Sequence, residues 1–443
     1  MVAYIFPPLG GSGVYRTLKF AKYLPQNGWV PVVVSAQDPD WYHLLEKNHF
    51  ELEIGPKTEV HRVRPLPFLK ITRRTLRFLR GSVVGQEPDE KSKPPAISRV
   101  KGNVRRILSI PDEQVWWLFP AFFAGWRLLR KDRNLRVIYS TSGPYTDHLV
   151  GLLLRLATKR PWVADFRDVW ADNLTLFPTE TRIQRINARL EKLVVRFADK
   201  IVTTAEGATE HFREKYPNQD PNKFVTITNG FDTADFQQTE AKGFDRFTVS
   251  YVGELYASQS PEPALKGFAE SLESIPRDKI MLSFVGAKED KYVKMLSEFI
   301  ASEGLEGLVE SKDQVPHREA VARMLGSNAL LLIVSEEANQ YGRMYTGKLF
   351  EYLAARRPII AIAPPGATSR LITELRAGTV CGLDDIECIK NAFVEAYAAY
   401  RDKKAPNPSV DISRFDRRFL TKMLADVFDS FVDSSASYGK SGQ

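Results

Sequence analysis

Short apolar runs, each followed by a helical pattern, recur along the whole 443-residue chain, and that alternation constrains the fold more than any other feature. Strands are read at Met1–Phe6, Val30–Ser35, Val137–Ser140, Trp162–Asp165, Lys200–Thr204 and Phe224–Thr228. After a polar stretch, Gln237–Arg246, the pattern restarts with Phe247–Gly253, Ile280–Gly286, Ala329–Ser335 and Pro358–Ala363. Strands separated by helices predict parallel sheets covered on both faces, and the interruption predicts two doubly wound domains, residues 1–236 and 247–410. A helix over 411–433 is expected to pack back toward the first domain, with 434–443 a disordered polar tail. Gly81–Ser98, containing "EPDEKSKPP", reads as a mobile loop inside the first domain.

Several classes are excluded. The longest aromatic-rich apolar run, Trp116–Trp126, has 11 residues against the ~20 that a spanning helix needs. Met1–Phe6 reads as a strand rather than a secretion signal, so a cytoplasmic location is expected. Cys381 and Cys388, seven residues apart, match neither a disulfide framework nor a common zinc spacing. The net charge of +8 is uneven: residues 1–190 hold 30 Lys and Arg against 17 Asp and Glu. Much of that excess lies in Lys70–Arg80 and Arg99–Leu108, where arginines interleave with Leu, Phe and Ile. Such segments suit an anionic membrane surface, although a solvated helix face fits the same pattern. No nucleic-acid module accompanies the charge, and no nucleic-acid partner is expected.

Residues 4–24, "YIFPPLGGSGVYRTLKFAKYL", pass from a strand through Gly10, Gly11 and Gly13 into a helix. Unpaired backbone N–H groups and the positive helix end then converge, which suits a phosphate. A tight turn without a ligand fits those residues equally well. The dinucleotide fingerprint is not met, because Arg16 stands where its third glycine belongs and a bulky side chain there opposes close helix packing. "GRMYTGKL" at Gly342–Leu349 imitates a Walker loop, yet Leu349 lacks the hydroxyl that would hold magnesium. Thr346, Gly347 and Lys348 still open an apolar helix and offer a second anion site, with Glu351 one turn on and suited to a ribose diol. Two such helix starts, one per domain, could hold a diphosphate in the cleft between them.

The chain resembles the family 4 glycosyltransferases of the branch that builds bacterial surface polysaccharides. The likeness rests on "FPPLGGSGVYRTLKFAKYL", "TSGPYTDHLVGLLL", "WVADFRDVWADN", "DKIVTTAEG", "TITNGFD", "VSYVGELY", "VPHREAV" and "TGKLFEYLAARRPIIAI", which occur in that order. It implies the GT-B fold, two Rossmann-like α/β domains facing across a cleft. It also implies a nucleoside diphosphate sugar donor, UDP- or GDP-linked, bound by the second domain, and an acceptor on the first. Gly10 and Gly11 would meet the distal phosphate, Glu351 the ribose, and the region around His317 the base. Arg343 occupies the position of the family's first motif glutamate, and Gln259 lies near its usual arginine, leaving Lys348 and Arg343 to supply charge. Tyr345 completes the expected donor set.

The resemblance implies transfer with retention and without a metal or other cofactor. The leaving diphosphate would be stabilised by helix ends and cations. On the acceptor side Asp168 is the first candidate for catalysis or positioning, with Arg167 beside it and His148 as a further candidate. A structural pair, Arg167–Asp168 or Asp165–Arg167, is the competing reading. Trp116, Trp117 and Trp170 suit a packed core better than a sugar or lipid groove. The expected function is sugar transfer to a lipid-linked or saccharide acceptor at the inner face of the plasma membrane. A non-catalytic GT-B scaffold and a nucleotide-sugar epimerase are the alternatives.

Overall fold

The computed structural model describes residues 1–10, 13–38, 53–66, 108–173, 176–177, 181–255, 259–286, 289–339, 342–404 and 410–438. The expected loop at 81–98 and the basic stretches before Leu108 lie outside the described residues, as does Gly11. The chain divides into two compact units: Met1–Thr203, Pro217–Val225 and Ala425–Gln443 form the first, Thr204–Tyr216 and Thr226–Leu424 the second.

In the first unit, β1 (Val32–Ala36) pairs with β2 (Glu59–Val63), and β3 (Ile138–Thr141), β4 (Trp162–Phe166), β5 (Lys200–Thr203) and β6 (Phe224–Thr226) lie in that order. Val2 bridges in parallel to both Val34 and Ser140, so the extended start of the chain lies between β1 and β3. The first segment is thus flanked by the second and fourth. In the second unit, β7 (Phe247–Val252), β8 (Ile280–Val285), β9 (Val309–Lys312), β10 (Ala329–Ile333), β11 (Ile359–Ile362) and β12 (Gly378–Cys381) form one sheet. Its order is β12-β11-β10-β7-β8-β9, which again puts the first strand between the second and the fourth. The paired strands are parallel, with Phe247 opposite Ile280 and Leu330 opposite Ile359.

Both faces of the second sheet are covered, and its side chains show it. Ala329, Leu331 and Ile333 of β10 enter one core with Phe247, Val249 and Tyr251, while Leu330 and Leu332 enter another with Leu349 and Phe350. That period of two explains why these strands read as continuous apolar runs. The strands without a sequence signal, β2, β9 and β12, lie at sheet edges, with polar or mixed sequences EVHRV, VESK and GTVC; β6, the remaining edge, is the one that the sequence shows.

The chain does not change units at the expected 237–246 stretch. Phe231 is buried in the second unit's core with Val252, Leu349 and Phe415, and bridges to Asp416 through its backbone, so this unit holds the chain before Gln237. Late in the chain the helix Arg417–Tyr438 extends through part of the expected tail, because the first helix breaker beyond Ser434 is Gly439. Its Phe428 packs edge-on against Trp29 at 5.2 Å, and Trp29 Nε1 donates to Asp429 at 2.8 Å, which places these residues in the first unit.

The cysteines also depart from expectation. Cys381 and Cys388 form a disulfide between the end of β12 and the first turn of the helix Ile386–Arg401. Asp385 caps that helix by accepting from the Cys388 N–H at 3.0 Å, and the turn brings the two Cα atoms to 5.7 Å, within bridging range.

Candidate active site

In the second unit, β7 ends on Gly253, whose φ of +143° lies in a region that L side chains rarely adopt. A Cβ there would stand 2.2 Å from Lys348 Cε, so glycine is required for the lysine stem to pass. The Lys348 amine lies 5.3 Å from the centre of the Tyr251 ring, an arrangement that attracts a cation. The Tyr251 hydroxyl donates to the Glu254 carbonyl at 2.8 Å and meets Gln259 Oε1 at 3.3 Å. Gln259 is buried, and its Nε2 has no hydrogen-bond partner among the described residues. A buried amide with an unmet donor is a group that a ligand can satisfy.

Lys348 is the second residue of the helix Gly347–Ala355. Thr346 caps it by backbone geometry alone, its side chain making no capping bond, and no acidic residue occupies the first turn. The helix start therefore offers backbone donors without a competing carboxylate. Burial pushes the Lys348 ammonium down to about 8, opposed by Glu254 and Glu351. One turn on, Glu351 Oε1 lies 3.0 Å from His317 Nε2, and His317 opens the helix His317–Gly326. Gln259, His317, Thr346, Gly347, Lys348 and Glu351 thus surround the C-terminal end of β7, the strand at which the sheet order reverses.

Tyr345 and Arg343 have a different setting. The Tyr345 hydroxyl donates to Glu206 Oε2 at 2.8 Å, and burial together with Glu206 raises its pKa. Arg343 runs its backbone past Gly207, where a Cβ would be 2.9 Å from the Arg343 Cα. The Tyr345 hydroxyl is thus tied to the helix Glu206–Lys215, and the Arg343 backbone passes the same helix.

The first unit has its own polar centre. Asp165, fully buried at the end of β4, receives Arg16 Nε at 2.8 Å and Nη2 at 2.9 Å, together with the Tyr139 hydroxyl. Arg16 is 2% exposed, so the side chain that spoils the dinucleotide fingerprint is absorbed as a buried ion pair instead of being excluded. Asp165 therefore pairs with Arg16, and the Asp165–Arg167 alternative is not what the structure contains.

Arg167 Nε donates to the Ser142 carbonyl, and its Nη2 to the Gly143 carbonyl at 2.6 Å. A Cβ on Gly13 would lie 1.2 Å from Arg167 Nη1, and one on Gly143, at φ +77°, 2.4 Å from Nη2. Gly13 thus admits a guanidinium, beyond serving a turn. Asp168 is exposed next to Arg167. Gly10 is buried at the strand exit.

His148 does not reach the surface. Its Nδ1 is 2.8 Å from Ser140 Oγ, which also receives Trp162 Nε1 at 2.9 Å, and its ring packs 4.4 Å from Phe166. Burial pushes the imidazole down to about 3, so it is a neutral core residue and not a group presented to a substrate. Trp117 and Trp170 are core residues as expected, with Trp170 stacked on Tyr145 at 4.7 Å, while Trp116 is half-buried. Asp38-Pro39-Asp40 follows β1 with D-x-D spacing; Asp38 accepts from the Tyr4 hydroxyl at 2.7 Å, and Asp40 lies outside the described residues. Gly143, Tyr251 and Gly253 escape motif reading. The available signal is a glycine immediately beyond a strand, in "TSGP" and "YVGE".

The family model of the glycosyl transferase 4-like domain matches residues 10–230. No curated protein sequence matches the chain. Among solved structures, HepE from Anabaena in complex with UDP aligns at a TM-score of 0.62 and 15% identity, covering 97% of this chain and 99% of that one. A glycosyltransferase from Rickettsia africae aligns at 0.60 and 12% identity, covering 97% of each chain. The UDP-GlcNAc 2-epimerase of Methanocaldococcus jannaschii aligns at 0.50 and 14% identity, covering 90% of this chain and 99% of that one. These likenesses show the GT-B fold.

Proposed function

This chain belongs to the glycosyl transferase 4-like family, and from that premise we propose that it moves a sugar from a UDP- or GDP-linked donor to a lipid-linked or saccharide acceptor in cell-surface polysaccharide synthesis. The observation that carries the reading is the cluster at the end of β7, where Gly253 admits Lys348 beside the open start of the helix Gly347–Ala355 and Glu351 meets His317. Complexes of HepE with UDP and with UDP-glucose support a nucleotide-sugar donor.

In this reading Lys348 and the helix N–H groups neutralise the leaving diphosphate, with no metal or other cofactor required. Glu351 accepts from the ribose diol, and His317 fixes the carboxylate's orientation and borders the base. Gln259 Nε2 gains an acceptor on a ligand oxygen. On the acceptor side Arg167, immobilised by two carbonyls, orients Asp168 as the group that positions the attacking hydroxyl. The sugar passes through an oxocarbenium-like state with retention of configuration. The basic first half holds the protein, as a peripheral one, against an anionic membrane carrying the acceptor. No helix among the described residues is long and apolar enough to cross a membrane.

A panel of UDP- and GDP-sugars screened for thermal stabilisation tests the donor assignment. One or more is expected to stabilise the protein, and Lys348→Ala or Glu351→Ala to weaken it. Stabilisation by none favours the scaffold, and donor turnover without an acceptor favours the epimerase.

A further inference from the structure

The helix Leu118–Lys131 in the first unit is oriented opposite to what its composition suggests. Its buried stripe is Ala121, Gly125 and Leu129, and Gly125 allows close approach to Leu154, whose Cδ1 would be 3.0 Å from a Cβ there. Two phenylalanines point away. Phe119 is 58% exposed and Phe123 56%. At about 100° per residue, Phe119, Phe123, half-buried Trp126 and Arg130 fall within an arc of about 60°, centred about 130° from the buried stripe. The Arg130 guanidinium lies over the Trp126 ring at 4.8 Å, and exposed Arg127 extends the same face.

Exposed Leu66 and Leu108 add apolar surface, and the Leu66 N–H donates to the Trp116 carbonyl at 3.1 Å, just before this helix. Among the described residues, packing within the unit gives no reason for two phenylalanines one turn apart to face water. Their combination with arginines specifies the partner. Aromatic rings enter the boundary between headgroups and acyl chains, while guanidinium groups pair with lipid phosphates. Arginines and rings also mark protein interfaces, so an acidic protein surface is the competing partner. Arg127, Arg130, Lys131, Arg133 and Arg136, all in or just after the helix and opposed there only by Asp132, call for an anionic one.

We propose that the Phe119–Phe123–Trp126–Arg130 face of this helix is the surface that docks on an anionic lipid bilayer. This rests on the membrane part of the proposed function and assigns it to particular side chains. The test is co-sedimentation of the full chain with phosphatidylcholine vesicles, with and without phosphatidylglycerol, at low and high salt. The parent protein is expected to bind only the anionic vesicles and to be released by salt. Phe119→Ser/Phe123→Ser should lower that binding by about tenfold or more while leaving nucleotide-induced stabilisation unchanged. Arg127→Glu/Arg130→Glu should remove the salt-sensitive part. If the parent does not bind anionic vesicles, the membrane reading falls, and this assignment with it. If the parent binds but the Phe119→Ser/Phe123→Ser protein binds equally well, the membrane reading stands and this face is not its docking surface. Loss of self-association on that substitution, with vesicle binding unchanged, would make the face an interface between copies and overturn the proposal.

Discussion

Each unit uses a glycine beyond a strand to admit a long cation, and the two cations are held in opposite ways. In the first unit Arg167 passes Gly13 and Gly143 and gives its donors to the Ser142 and Gly143 carbonyls. The planar fork suits two fixed acceptors. In the second unit Lys348 passes Gly253 and rests over an aromatic ring, and burial brings its titration down to about 8. One cation is a fixed part of the frame; the other is a point charge that a ligand can recruit and pH can remove. Both units share a strand order, with the first strand between the second and fourth.

The largest effect is expected from the buried pair that anchors the first unit. Arg16→Ala leaves Asp165 buried without its guanidinium partner and should cost about 3–5 kcal/mol, read as a shift in the denaturant midpoint. A loss below ~1 kcal/mol would mean that the Tyr139 and Thr141 hydroxyls keep the carboxylate satisfied. Next comes the lysine. Lys348→Ala should weaken nucleotide binding by about 10–100-fold in calorimetry, the loss of a charge-assisted contact, with the midpoint little changed. Gly253→Ala should weaken the nucleotide as Lys348→Ala does and also cost about 1–3 kcal/mol of stability, because it displaces the stem and strains a left-handed φ. Gly13→Ala would displace the Arg167 guanidinium from its two carbonyls, so kcat is expected to fall and stability to drop by about 1 kcal/mol, while nucleotide affinity stays close to the parent.

The titration of Lys348 sharpens the contrast. Because the folded-state pKa of Lys348 lies below its ordinary 10.5, the unfolded chain holds more protons between about pH 8 and 10.5, and unliganded stability rises with pH through that window. Anion affinity moves the other way, falling as pH passes 8. Isothermal titration at pH 7 and 9 should show this fall, and Lys348→Arg should flatten it; a flat parent profile would remove Lys348 from the diphosphate. The smallest effect is Tyr345→Phe, which loses one hydrogen bond to Glu206 and should cost about 0.5–1.5 kcal/mol without altering nucleotide binding.

Much of the architecture was legible in the sequence because central parallel strands are apolar on both faces and leave an unmistakable run. Edge strands such as EVHRV carry no such run, and the disulfide depends on a helix cap that brings two neighbouring turns together. The pairing of Lys348 with a glycine-ended strand was half visible, as two separate loops some ninety positions apart. What the sequence determined by itself was the alternation of strand and helix, the order of the family-like segments, and the residue types at the two helix starts. Only the tertiary structure decided that Arg16 rather than Arg167 neutralises Asp165, that His148 lies in the core, and that Phe119 and Phe123 face outward. Local pattern sets which element forms. Which side chain faces which neighbour depends on how elements far apart in sequence pack, and a charge or a ring acquires its role only from that neighbour.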